Sequence, residues 1–294
     1  MDSKPAATNG SPVYSVLAPS EQTVPLVFSS PHSGREYTAA FIASSRLEPQ
    51  VLRRSEDSYV DELFACVARH GAPLLAASFP RAFCDPNREP FELDPGMFDG
   101  PLPEFANTRS PRVAAGLGTI AKVVSSGLNI YAGKLPVAEI DRRITGFYRP
   151  YHRRLEELIE ATSRRFGWAV LVDCHSMPSV GGATDFDTGL SRVDIVLGDC
   201  FGASCASPIT QVVEDGFRGL GYRVVRNTPY AGGFTTRHYG QPRNGVHALQ
   251  IEINRSLYMS EGRHSKLVGF AGLADDIDRV VAALADQLRG KAFP

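Results

Sequence analysis

The sequence predicts an α/β fold of three layers, αβα, built on a mixed, mostly parallel central sheet. Three observations carry this. Strand-like and helix-like stretches alternate along the chain, the order expected when helices cross over between parallel strands. Two apolar runs, Val24-Pro25-Leu26-Val27-Phe28 and Val170-Leu171-Val172, end abruptly in polar residues, as buried strands do when their carboxyl ends open into a site. A chain of 294 residues, 43% of them apolar, is also long enough to bury a full core. The expected organisation is a flexible arm over 1–12 and a single α/β domain over 13–294, with no internal repeat.

The first strand covers 24–29. Asp57 to His70 sets Val60, Leu63, Phe64 and Val67 on one helical stripe, with Gly71 as its stop. Residues 73–79 read as a second strand. Residues 84–135 are rich in Pro, Gly and Asn and form a long excursion, which in a compact domain is more often functional than structureless. From Ala138 to Arg165, the apolar positions Ile140, Ile144, Phe147, Tyr151, Leu155, Leu158 and Ile159 mark a long helix that Pro150 kinks or divides. Strands follow at 169–173 and 194–198, a helix at 208–219, strands at 222–226 and 248–253, and a closing helix over 262–289.

Composition excludes several classes. With 31 Lys plus Arg against 32 Asp plus Glu, the net charge of −1 favours neither nucleic acid nor a membrane surface as a partner. No apolar run reaches the roughly 18 residues a spanning helix needs. Residues 1–12 are small and polar, without the apolar core of a secretory signal. Five cysteines, an odd count without a CxxC pair, suit a reducing, cytoplasmic setting and argue against a disulfide framework.

His32 follows the first apolar run and His175 follows the run at 170–172. Two strand-end histidines far apart in sequence point to neighbouring strands delivering imidazoles to one place, and a metal ion is the usual reason for such convergence. A serine hydrolase would need a GxSxG elbow, which is absent. Cys174 beside His175 points to the opposite face of its strand and so belongs to the core. Glu252 lies in Ala248-Leu249-Gln250-Ile251-Glu252-Ile253, an apolar strand where an acid is costly unless paired or used.

Six motifs then follow in order: Pro31-His32-Ser33-Gly34, Asp57-x-x-Val60-Asp61, Asp85-Pro86-Asn87-Arg88, Tyr148-x-Pro150-Tyr151-His152, Asp173-Cys174-His175-Ser176 and Gln250-Ile251-Glu252-Ile253-Asn254-Arg255. In this the chain resembles the N-formylglutamate amidohydrolase family, from about residue 22 to 285. The resemblance implies a zinc-dependent amidohydrolase of phosphorylase/hydrolase-like fold, shared with zinc carboxypeptidases and aspartoacylase-like deacylases. It implies that a small anionic N-acyl amino acid, N-formyl-L-glutamate, is cut to formate and L-glutamate, a step of histidine degradation. It implies His32 and His175 as metal ligands. Asp57 completes them by its match to the family pattern, with Glu36 and Glu56 as rivals.

Glu252 would be the general base and later the acid, its pKa raised by burial. By similarity to the deacylases, Asn87 and Arg88 would hold a substrate carboxylate and Arg81 would face the oxyanion, since the planar guanidinium suits carboxylates. Pro86 stands where the pattern favours Leu. Arg142 or Arg143 could add a cation, but not both, because adjacent helical residues point about 100° apart. His238, in the Gly232-Gly233 loop, would donate to the substrate or stabilise the turn. His152 would brace the long helix, and His70 and His264 read as helix-end residues. Related readings stay open, because loops set specificity: a zinc-dependent deacylase or carboxypeptidase-like hydrolase of another N-acyl amino acid or small peptide, or a metal-free binding protein on the same fold.

Overall fold

Seven strands make one sheet in the computed structural model, which describes residues 12–124, 127–182 and 187–291. The arm expected over 1–12 lies, apart from Pro12, outside the described residues. The strands are β1 (Tyr14–Leu17), β2 (Leu26–Ser30), β3 (Leu74–Ala77), β4 (Ala169–Met177), β5 (Ile195–Gly198), β6 (Val224–Arg226) and β7 (Val246–Asn254). Their order across the sheet is β1-β3-β2-β4-β7-β5-β6. The central strands β3, β2, β4 and β7 run parallel. β1 is antiparallel to β3, while β5 is antiparallel to β7 and parallel to β6. The mixed, mostly parallel sheet of the sequence reading is therefore observed.

Helix α1 (Arg149–Phe166) covers one face, and α2 (Ser207–Gly219) and α3 (Gly269–Leu288) cover the other. Tyr151, Leu155 and Ile159 of α1 pack with Val27, Leu171 and Ala248. Ile209, Val213 and Phe217 of α2, with Ile277, Val281 and Leu284 of α3, pack with Leu26, Phe28, Val170, Val172 and Ile251. These two apolar layers bury side chains worth roughly 1.5–3 kcal/mol each when taken from water.

Alternation along the strands then places the chemistry. On β4, Val170, Val172 and Cys174 face α2 and α3, whereas Ala169 and Leu171 face α1. Asp173 and His175 continue that α1 face. On β7, Leu249, Ile251 and Ile253 face α2 and α3, so Gln250 and Glu252 share the α1 face with Ala248. One side of the sheet thus turns from apolar to polar toward the carboxyl ends of the parallel strands, where open α/β sheets bind ligands.

Some elements differ from expectation. β1 was not foreseen, because a four-residue, half-exposed edge strand has almost no periodicity to read. The helix expected over 57–70 is two short pieces, Val60–Leu63 and a 3₁₀ segment Ala65–His70, preceded by Tyr59 in the left-handed region at φ 66°. The long helix is divided as Pro150 suggests: Ala138–Arg143, then a π turn Ile144–Tyr148 that closes on Ile144 O from the Arg149 N–H, then α1. The closing helix begins at Gly269, since Ser265–Lys266 pairs with Met259–Ser260 instead of coiling. The 84–135 excursion is ordered wherever it is described and contributes Leu93, Phe98, Ile120 and Ile130 to the core.

Candidate metal centre

β2 and β4 are hydrogen-bonded neighbours, so the two strand-end histidines do converge. His32 lies just beyond the end of β2, and His175 near the end of β4. The chain returns to them at Asp57, whose N–H donates to His32 O at 3.0 Å. Asp57 Oδ2 stands 3.3 Å from His32 Nδ1 and 3.0 Å from His175 Nδ1. The three side chains are buried, and one donor atom from each lies within 4.8 Å of the others. Among the described residues no other His, Cys, Asp or Glu cluster meets that test. Glu36 is exposed, and Glu56 is held by Arg53 at 3.0 Å and Ser58 at 2.7 Å.

The far nitrogens are equally constrained. His32 Nε2 meets Asp85 Oδ1 at 2.7 Å, and His175 Nε2 meets Asp173 Oδ2 at 2.9 Å. A carboxylate on Nε2 favours the tautomer with hydrogen there, leaving the Nδ1 lone pair directed at the common point. Arg255 Nη2 donates to the other oxygen of Asp57 at 2.8 Å. Burial alone would push the Asp57 carboxyl up, yet the bonds from His175 and His32 and the charge of Arg255 hold it well below the usual range. Burial pulls the His175 imidazole down, but the charge and hydrogen bond of Asp173 and the bond to Asp57 raise it well above the usual histidine range, so an ion would displace the proton on Nδ1. With both imidazoles neutral at Nδ1, they and the ionised Asp57 carboxylate would form a donor set that suits a divalent transition ion such as zinc.

Glu252 is the partner of His175 in the parallel register of β4 and β7. It is buried, and Gln250 Nε2 donates to its Oε1 at 2.9 Å. Burial, with the charge of Asp57, raises its pKa to about 7, against the opposing pull of His175, Arg81 and Arg255. His32, Asp57, His175 and Glu252 all line one cavity of about 720 Å³.

Arg81 lines the same cavity and donates to Asp85 Oδ2 at 2.8 Å. Arg88 also lines it, with Nε on Leu117 O and Nη1 on Asn87 O, both at 2.8 Å. Asn87 reaches the cavity, but its amide is engaged: Oδ1 accepts from Thr235 N at 2.8 Å, and Nδ2 donates to Asp173 Oδ2 at 3.4 Å. A Cβ at Gly233 would come within 2.3 Å of that amide, which is why the loop needs glycine there.

Two expectations are corrected, those for Arg143 and His264. Arg143 does not reach the cavity. It is buried on Phe83 O at 2.9 Å and Tyr131 Oη at 2.6 Å, with its guanidinium over the Phe83 ring, because the turn that carries it faces the excursion. His238 lines a smaller neighbouring cavity and stacks on Phe234 at 4.8 Å. His264, read as a helix-end residue, lines the main cavity in the segment that precedes α3. His152 braces α1 against the Asp85–Arg88 loop through Pro86 O, with Tyr239 Oη on its other nitrogen, both at 2.8 Å.

Asp85, Arg255 and Arg112 also line this cavity and were given no role in the sequence reading, and Arg237 lines it from the polar stretch after Gly232-Gly233 that was expected at a pocket mouth. Asp85 and Arg255 stand inside motifs that were recognised, which was the one available signal.

The model of the family described as N-formylglutamate amidohydrolase matches residues 24–259. A Pseudomonas aeruginosa protein named N-formylglutamate deformylase is 33% identical over 276 residues, 93% of this chain and 96% of the relative. A Pseudomonas putida protein of the same name is 29% identical over 248 residues, 84% and 86% of the two chains. The crystal structure of an N-formylglutamate amidohydrolase from Ralstonia eutropha superposes with a TM-score of 0.87 at 38% identity, covering 94% of this chain and 98% of that one.

Proposed function

Because this chain belongs to the N-formylglutamate amidohydrolase family, we propose that it is a metal-dependent deformylase that hydrolyses N-formyl-L-glutamate to formate and L-glutamate. The observation that carries the reading is the convergence of His32 Nδ1, His175 Nδ1 and Asp57 Oδ2 beside a buried Glu252 in one arginine-lined cavity. His32, Asp57 and His175 would hold the ion, with zinc as the proposed metal. Such an ion supplies Lewis acidity, lowering the pKa of water and polarising a carbonyl.

The chain's own residues do the rest. Glu252, with a pKa near 7, takes a proton from the attacking water and passes it to the departing amine nitrogen. Arg81, which lines the cavity, would donate to the tetrahedral oxyanion, since a fixed cation stabilises developing negative charge. Asp85 and Asp173 keep the two imidazoles in the correct tautomer. Arg88 offers its guanidinium to a substrate carboxylate.

The free thiols of the described cysteines suit a reducing cytoplasm as the setting. No helix is long and apolar enough to cross a membrane, among the described residues. Residues 13–294 are proposed as one domain, since strands from Tyr14 to Asn254 share a single sheet. The test is formate release from N-formyl-L-glutamate beside other N-formyl and N-acetyl amino acids. Activity should be abolished by chelation and restored by zinc. Turnover that persists without metal would reject the reading.

A further inference from the structure

The cavity carries more positive charge than the chemistry at the histidines uses. Arg81 is matched by Asp85 and Arg255 by Asp57, each at 2.8 Å. Three other arginines, Arg88, Arg112 and Arg237, line both the main cavity and the smaller one of about 290 Å³ beside it, and so mark the junction of the two. Arg88 is buried and bonded to backbone carbonyls, with Asp85 as its one carboxylate contact at a loose 3.8 Å. Arg237 donates Nη1 to Gly232 O at 2.8 Å. Arg112, exposed on the short helix Pro111–Ala114, makes no side-chain hydrogen bond among the described residues.

Carbonyl oxygens satisfy N–H donors without cancelling the charge. A gathering of like charges around a buried guanidinium is unfavourable until an anion enters it. Of the other carboxylates, Glu89 and Glu92 line the smaller cavity only, and Glu89 already takes the amide of Asn107 at 3.0 Å; Glu261 lines the main cavity but accepts from Ser179 N at 3.0 Å. At the junction of the two cavities an anion therefore finds three guanidinium groups.

The order of these cations suits a particular carboxylate. Arg81 donates to Asp85, the carboxylate that also holds His32 Nε2, and lines the main cavity only, whereas Arg88, Arg112 and Arg237 line the smaller cavity as well. The series thus runs outward from the reacting centre. In an N-acylglutamate the α-carboxylate shares a carbon with the scissile nitrogen, and the side-chain carboxylate hangs two methylenes further out. The outer arginines match the outer group.

We propose that Arg88, Arg112 and Arg237 seat the side-chain carboxylate of the substrate, and that Arg112 and Arg237 set the preference for acidic over neutral N-acyl amino acids. This rests on the deformylase reading above for the identity of the substrate, and its test does not require turnover. Binding of the product L-glutamate and of its neutral analogue L-glutamine to the full chain is compared by calorimetry. The two differ only in replacement of the outer carboxylate by a neutral amide.

The wild type should prefer glutamate, and Arg112→Gln and Arg237→Gln should each shrink that preference about 10- to 100-fold, the usual worth of a charge-assisted pair. Arg112→Lys should restore part of it. Both substituted positions are exposed, and an unchanged melting temperature confirms that the fold is retained. A wild type that binds glutamate and glutamine alike, or variants that keep the preference within about threefold, would overturn the proposal. If formate release from N-formyl-L-glutamate is absent while the arginine-dependent preference persists, the deformylase reading falls and the carboxylate seat stands.

Discussion

Asp173→Asn tests how the histidines are prepared for metal. Asp173 is fully buried and does not line the cavity, so it acts only through its neighbours. Its Oδ2 accepts from His175 Nε2 at 2.9 Å, and its Oδ1 accepts from Ser29 Oγ at 3.2 Å. Asparagine can keep an oxygen toward Ser29, but then presents an NH₂ group to His175 Nε2. Two donors face each other unless the imidazole changes tautomer. The change moves its hydrogen to Nδ1, the atom that faces Asp57 and would bind the ion. Metal affinity should therefore fall about 10- to 100-fold, or ~1.4–2.7 kcal/mol, the range typical for loss of a carboxylate behind a histidine ligand. Zinc competition against a chromogenic chelator at constant pH measures this directly. A dissociation constant within about twofold of wild type would refute the tautomer argument.

Other consequences are equally open to measurement. His32→Ala and His175→Ala should each abolish stoichiometric zinc binding as read by metal analysis. Full retention in either would remove that residue from the ligand set. Glu252→Gln should keep the metal and lower kcat by about 10²–10⁴, the usual contribution of a general base. Because Glu252 must be ionised to accept a proton and its pKa is raised to about 7 chiefly by burial, kcat/KM should fall as the pH drops through the carboxyl midpoint. A cation bound beside it favours the carboxylate and moves that midpoint below 7 in the loaded enzyme; a limb that survives in Glu252→Gln would assign it to another group.

His152 predicts a stability effect. Burial, partly offset by the bond to Pro86 O, lowers its pKa to about 4, while the unfolded residue titrates near 6.5. The unfolded chain gains the proton first on acidification. The stability present above pH 6.5 should then decline by up to ~1.4 kcal/mol per pH unit toward 4. Urea unfolding of His152→Asn should show a shallower pH slope than wild type; equal slopes would contradict the buried neutral state.

Much of the framework was legible because it is local and periodic. The apolar runs leading to His32 and His175 announce strands, and their abrupt polar ends announce a site. Alternation alone assigned Cys174 to the core and kept Asp173 and His175 on the other face. The choice among Asp57, Glu36 and Glu56 was not local. All three sit in irregular chain, and only the return of the backbone to His32 brings Asp57 Oδ2 between the two imidazoles. Arg143 was misread because helix phase cannot be extrapolated next to a π turn, which Pro150 follows.

By itself, then, the sequence determined the layered α/β class, the pair of strand-end histidines and the acid on the apolar strand, because each is written in residues close together in the chain. Tertiary structure decided which carboxylate joins the histidines, that Asp85 backs His32, and that Arg112 and Arg237 meet Arg88 at the cavity junction. Those pairings join loops separated by tens of residues. No periodicity encodes them, and only packing of the excursion and the Gly232-Gly233 loop against the sheet brings them within reach.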